Sequence, residues 1–96
     1  MIVSEIKNKI KEIEPFLKEN FSVKKIGVFG SYLRGEQKKN SDVDILVEFS
    51  KEPSLFKFVA LEEFLSKTLK VRVDLVMKNA LKPYIGKCIL KEVIYL

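Results

Sequence analysis

The sequence predicts a small α+β domain in which a mixed sheet of three to four strands carries helices on one face. Two observations predict this fold. Apolar residues recur at helical spacing in three segments, and shorter runs rich in β-branched residues lie between and after them. The 96 residues, 47% of them hydrophobic, suffice for one core but not for two, so we expect a single domain over residues 1–96.

The first two elements are a helix and a strand. Residues 4–19 place apolar side chains on one stripe, which predicts an amphipathic helix. Pro15 lies inside this segment and has no amide hydrogen, so we expect a kink there or an early end near Glu14. Val23–Phe29 is rich in apolar and β-branched residues and is followed by Gly30, which predicts the first strand and its end.

The later elements follow from the same patterns. Residues 31–41 form a connection with room for one helical turn, and Asp42–Phe49 predicts the second strand. After a turn at residues 50–54, apolar residues from 55 to 69 recur at helical spacing, with Ser54 as the N-cap. A third strand, a last helix and a short edge strand are then predicted over Val71–Met77, Lys82–Glu92 and Val93–Leu96.

The net charge of the chain and the residue types that it lacks restrict the classes of function that are possible. Eighteen Lys and Arg against thirteen Asp and Glu give a net charge of +5, which favours polyanions such as nucleotides, nucleic acid or an acidic protein surface and does not choose among them. The absence of His removes the usual zinc ligands and a Ser-His-Asp triad, and the single Cys88 excludes an internal disulfide. Without a signal peptide or a long apolar run, we expect a cytoplasmic protein with no membrane partner.

Two aspartates begin the second predicted strand. Asp42 and Asp44 project to the same face about 7 Å apart, where like charges repel unless a cation lies between them. Oxygen ligands alone suit Mg²⁺ or Mn²⁺. The third strand turns Asp74 to the same side. If the two strands are neighbours, Asp74 completes a three-carboxylate cluster of the kind that phosphoryl transfer with two metal ions requires.

A Gly-Ser turn follows the first strand. Gly30 permits positive φ and close approach of a ligand, and Ser31 offers a hydroxyl and an amide to phosphate oxygens, with a helix N-cap as its alternative role. Arg34, one turn further, is a candidate for binding the same phosphates, or for a salt bridge with Glu36. Glu48 lies further along the carboxylate face, which we expect to be solvated there.

The segment GSYLRGEQKKNSDVDILVEF resembles the signature of the polymerase β-like nucleotidyltransferase superfamily, and within it the minimal nucleotidyltransferases, or MNT proteins. The resemblance extends over nearly the whole chain and implies the nucleotidyltransferase fold. It also implies a triphosphate-binding turn at Gly30 and Ser31, and catalytic, metal-binding carboxylates at Asp42, Asp44 and Asp74. The helical domain that larger relatives use to grip a primer is absent, so we do not expect nucleic acid as a partner.

The resemblance also implies an activity and a partner. With two Mg²⁺ ions, for which Mn²⁺ is an alternative, such enzymes move AMP from ATP to a hydroxyl acceptor. Stand-alone MNT proteins are commonly antitoxins of HEPN-domain RNase toxins and silence them by adding AMP to a tyrosine. Two alternatives remain open: neutralisation of the toxin by binding alone, and transfer to a small molecule. The sequence also leaves homo-oligomerisation open.

Overall fold

A four-stranded sheet forms the centre of the computed structural model, which describes residues 2–96. The elements in chain order are α1 (Val3–Phe21), β1 (Val23–Phe29), α2 (Ser31–Arg34), β2 (Val43–Phe49), α3 (Leu55–Leu69), β3 (Val73–Met77), a 3₁₀ turn (Lys78–Ala80), α4 (Pro83–Glu92) and β4 (Ile94–Tyr95). The strand order is β3-β2-β1-β4; β2 and β3 are parallel and the other two pairs are antiparallel. The predicted α+β fold with a mixed sheet is confirmed.

The core lies between one face of the sheet and two helices. The helical side chains with no exposed surface are Ile6, Ile10 and Leu17 of α1 and Leu61, Leu65 and Leu69 of α3. They pack against inward-facing strand residues such as Val43, Ile45 and Val47, which are also fully buried. Burial of each such side chain contributes about 1.5–3 kcal/mol. The helices therefore fix which face of the sheet remains available for polar chemistry.

The longest helix, α1, continues past Pro15 to Phe21, so the early end expected near Glu14 is wrong. Proline forfeits a backbone hydrogen bond, but Leu17, beyond it, is fully buried. Phe16 also contacts Phe64 of α3, with ring centroids 5.0 Å apart. These tertiary contacts outweigh the local effect of the proline. Within residues 2–96, neither α1 nor any other helix has the length and apolar composition to cross a membrane.

Side chains of α3 cover the outer edge of β3. Ser66 Oγ accepts a hydrogen bond of 3.0 Å from the Val73 amide, and Glu62 Oε2 accepts one of 3.0 Å from the Leu75 amide. Edge-strand amides otherwise remain open to another strand. The strand begins two residues later than predicted because the Val71 amide donates to the Ser66 carbonyl at the end of the helix. Two outward amides of this edge are thus occupied by hydrogen bonds from within the chain.

The last helix, α4, does not join the layer of α1 and α3. Gly86 is its only buried residue, and Glu92 near its end forms an ion pair with Arg34 of α2. Leu90 of α4 and Glu48 of β2 line a common cavity. The helix therefore lies beside the face that carries the aspartates.

Candidate active site

The parallel pairing of β2 with β3 brings two carboxylates together. Asp44 of β2 is in register with Asp74 of β3, and neighbouring strands lie about 4.8 Å apart. Asp42 immediately precedes β2. Asp42 and Asp44 are half-buried, whereas Asp74 is exposed. The strand that carries Asp74 therefore neighbours the strand that carries Asp44, as the predicted carboxylate cluster requires.

Gly30 lies directly against the carboxylate of Asp44. Its φ of +79° is in the left-handed region that favours glycine. A Cβ placed on Gly30 would lie 2.1 Å from Asp44 Oδ2, far inside van der Waals contact. The turn after β1 is thus adjacent to the carboxylate of Asp44. Both the positive φ and the lack of room for a Cβ require glycine at position 30.

Ser31 is the first residue of α2, and Gly30 occupies the N-cap position. The alternative role of Ser31 as the N-cap is therefore wrong. The first amides of a helix have no partner within it, so those at the start of α2 are suited to phosphate oxygens. The side chain of Tyr32, only 6% exposed, anchors this short helix in the core. The triphosphate role of Ser31 remains a prediction.

Arg34 forms ion pairs with Glu36 and with Glu92. The pair with Glu36 is the alternative that the sequence left open. Glu92 was not foreseen, because it lies 58 residues further along the chain. The charge of Arg34 acts on Asp44 and lowers its pKa, opposing the causes that raise it. The proposed contact of Arg34 with phosphate remains a prediction.

The surroundings of Asp44 disfavour the ionised form of its carboxyl group. Burial and, after it, the negative charges of Asp74 and Asp42 together raise the pKa of Asp44 from 3.8 to about 6. The like charges that the sequence pattern predicted are therefore close enough to affect one another. A cation at this point would stabilise the ionised form of Asp44.

The donor groups fit a hard divalent cation, although they do not form a ready-made cage. Among residues 2–96, no three acidic or cysteine side chains already surround a common point. Mg²⁺ needs no such cage, since it typically takes one or two carboxylates and completes its shell with water and phosphate oxygens. The repulsion at Asp44 is the charge arrangement that such an ion would relieve. Metal binding by Asp42, Asp44 and Asp74 remains a prediction.

The raised pKa of Asp44 predicts the pH dependence of stability in chelator. The folded state holds this proton up to about pH 6, but the unfolded state only to near 3.8. The stabilisation is therefore fully present below the unfolded pKa and is lost as pH rises through about 6. Melting temperatures across this window should fall, and Asp44→Asn should flatten the fall and raise Tm near neutral pH. An unchanged slope in Asp44→Asn, compared with the exposed control Glu19→Gln, would contradict this account.

Glu48 is only partly exposed, so the expectation of a solvated position is wrong in part. Its side chain is half-buried, and Oε2 is buried without a hydrogen-bond partner. Residues after the third strand line the cavity around it, and periodicity alone does not predict where those residues pack. Arg72, immediately before β3, is exposed.

Comparison with known proteins identifies the family. Residues 10–96 match the family model described as Nucleotidyltransferase domain. The chain belongs to this nucleotidyltransferase family. The nucleotidyltransferase is 61% identical over 79 residues to Protein adenylyltransferase MntA of Thermococcus cleftensis, a match that covers 82% of this chain and 80% of that protein. The expectation of a nucleotidyl-transferring enzyme is confirmed.

Solved structures agree with this assignment. A protein provisionally named a minimal nucleotidyltransferase matches the whole nucleotidyltransferase and 97% of its own chain, with 30% identity and a TM-score of 0.85. A toxin-antitoxin structure with AMP-PNP matches 92% of the nucleotidyltransferase and 69% of its own chain, with 28% identity and a TM-score of 0.76. The resemblance to the MNT family and to its fold is confirmed.

Proposed function

We propose that this nucleotidyltransferase moves AMP from ATP to a hydroxyl group of a partner protein, a tyrosine of a HEPN RNase toxin, and thereby acts as an antitoxin. The observation that carries this proposal is the register of Asp44 with Asp74, directly beside Gly30. Two comparisons support it: a relative named as a protein adenylyltransferase, and a toxin-antitoxin structure with an ATP analogue.

Each group of the site has a distinct role in this proposal. The turn at Gly30 and Ser31 would hold the triphosphate, and Asp42, Asp44 and Asp74 would hold Mg²⁺. When bound, the ions neutralise the triphosphate and lower the pKa of the attacking hydroxyl. The acceptor oxygen forms a bond to the α-phosphorus and releases its proton to solvent, while the bond from that phosphorus to the oxygen that bridges the α- and β-phosphates breaks, so pyrophosphate leaves. The residues of the site would align the acceptor hydroxyl and the triphosphate for in-line attack.

The open position of the site favours a macromolecular acceptor. Asp74 is exposed and lies on an edge strand, so a bulky partner can approach the carboxylates from outside the sheet. A protein docked beside this face would supply the positioning that so small a domain does not. A tyrosine hydroxyl on such a partner then meets the α-phosphate without entering a deep cleft.

The test is transfer to the toxin itself. Co-incubation with a HEPN toxin encoded beside this chain, ATP and Mg²⁺ should raise the toxin's mass by one or more AMP units and suppress its RNase activity. Excess chelator should prevent both changes. Silencing without a mass shift, equal with and without ATP, would replace the enzymatic proposal with neutralisation by binding.

A further inference from the structure

The outer surface of α3 is apolar over its first two turns. Leu55 is 76% exposed, Phe56 is 88% exposed and Val59 is 43% exposed, and Ala60 beside them is also exposed. The side chains that this helix buries in the core are Leu61, Leu65 and Leu69. A solvated helix surface ordinarily carries charged residues, and contiguous apolar residues in their place mark a contact surface. Leu55, Phe56, Val59 and Ala60 are called the α3 patch below.

The α3 patch continues a row of side chains that ends beside the active site. Residues three and four apart share one side of a helix, so one row on α3 contains Leu55, Val59, Glu62 and Ser66. Ser66 and Glu62 accept hydrogen bonds from the amides of the residues on either side of Asp74. At 1.5 Å per residue, Val59 lies about 10 Å along the helix axis from Ser66. The apolar row therefore extends from the same edge of β3 that exposes the third carboxylate.

An open groove connects α3 with the carboxylates. Asp42 and Asp74 line this groove from the sheet, and Glu63 and Lys67 line it from α3. Glu63 lies two helical turns after Phe56, about 10 Å from it along the helix axis. Charged residues beside an apolar centre are the usual composition of a protein–protein interface. A protein that brings a hydroxyl group into the groove along this edge therefore also lies over the α3 patch.

We propose that the α3 patch is the docking site for the protein that accepts AMP. This proposal rests on the proposed function, which brings the acceptor hydroxyl to the carboxylates from outside the sheet. An apolar surface of the acceptor protein, about 10–15 Å from its reacting hydroxyl, packs on Phe56. Buried aromatic residues of this kind contribute much of the binding energy of protein interfaces. A second copy of this chain on the same patch would obstruct the groove, so we assign the patch to the acceptor.

Steady-state transfer of AMP to the HEPN toxin encoded beside this chain tests the docking site. Replacing both Phe56 and Val59 by serine should raise KM for the toxin at least about tenfold and leave kcat within about twofold, because docking is lost while the reacting groups are unchanged. Calorimetry of this variant with Mg²⁺ and ATP should give the wild-type affinity. Its melting temperature should not fall, since both side chains are exposed and serine has a similar helix propensity.

Ile94→Thr is the matched control. Ile94 is 42% exposed, nearly the same as Val59, but it lies on β4 at the opposite edge of the sheet. This variant should keep the wild-type KM for the toxin. Phe56→Leu, which retains an apolar side chain, should have a KM within about threefold of the wild-type value. A double serine variant with the same KM as Ile94→Thr would overturn the docking site and leave the proposed function standing.

Binding of the toxin without ATP separates the docking site from the proposed function. If the double serine variant loses affinity for the toxin but the wild-type protein transfers no AMP, the toxin docks on the patch and only the enzymatic function fails. Ala60→Arg repeats the binding test with a good helix former and should weaken toxin binding at least about tenfold. Sedimentation of the wild-type protein as a dimer and of the double serine variant as a monomer would assign the patch to a second copy and overturn the proposal.

Discussion

Replacing Asp42 and Asp44 together by asparagine is expected to abolish AMP transfer and leave the fold intact. Asparagine keeps the shape of aspartate but lacks the negative charge that would hold the proposed metal ions. Relief of the repulsion at Asp44 should also preserve or raise stability. The rate should drop by about a thousandfold or more, as expected when a charge-stabilising group is lost. Mass spectrometry of the acceptor protein measures the loss.

The matched control removes two charges elsewhere. Glu12 and Glu19 are both exposed on α1, which packs on the opposite face of the sheet. The Glu12→Gln and Glu19→Gln double variant should therefore transfer AMP at the wild-type rate. Transfer by the double aspartate variant at a rate near that of this control would refute the catalytic role of the two carboxylates.

Gly30→Val is expected to eliminate ATP binding and to lower the melting temperature. The new Cβ would overlap Asp44 Oδ2, and a β-branched residue is strained at a φ of +79°. Ser31→Ala should be mild by comparison, since it removes one neutral hydrogen bond worth about 0.5–1.5 kcal/mol of binding free energy. Calorimetry of ATP with Mg²⁺ and thermal melting give both quantities.

Gly35→Val separates the two causes. Gly35 also has a positive φ, +70°, but nothing lies within 4 Å of a Cβ placed there. This variant carries the backbone strain without the overlap, so it should lose stability yet still bind ATP. If Gly30→Val and Gly35→Val retained equal affinity for ATP, contact with Asp44 would not explain the requirement for glycine at position 30.

Local signals predicted the elements well where a turn or cap residue marks the end. β1 ends at Phe29 as predicted, because Gly30 breaks the strand. α3 begins after Ser54, whose Oγ accepts a hydrogen bond of 3.2 Å from the Lys57 amide. Pro15 shows the opposite case. There the local preference and the tertiary contacts conflict, and burial of Leu17 prevails.

The candidate site was predictable to the extent that it depends on strand alternation. Asp42, Asp44 and Asp74 could be assigned to one face from a period of two residues, and the pairing of β2 with β3 supplied the rest. The ion pair of Arg34 with Glu92 and the burial of one oxygen of Glu48 depend on where α4 packs. That position is set by contacts between residues distant in sequence.

The hydrogen bonds at the outer edge of β3 bear on both the accessibility of the site and the risk of aggregation. Asp74 lies on an edge strand, the kind of strand that readily recruits further strands into fibrils. Because Ser66 and Glu62 accept hydrogen bonds from the outward amides of Val73 and Leu75, a strand recruited at these positions would first have to break both hydrogen bonds. The third carboxylate thus stays open to a reacting partner, while the two backbone amides on either side of it are not free to pair with another strand.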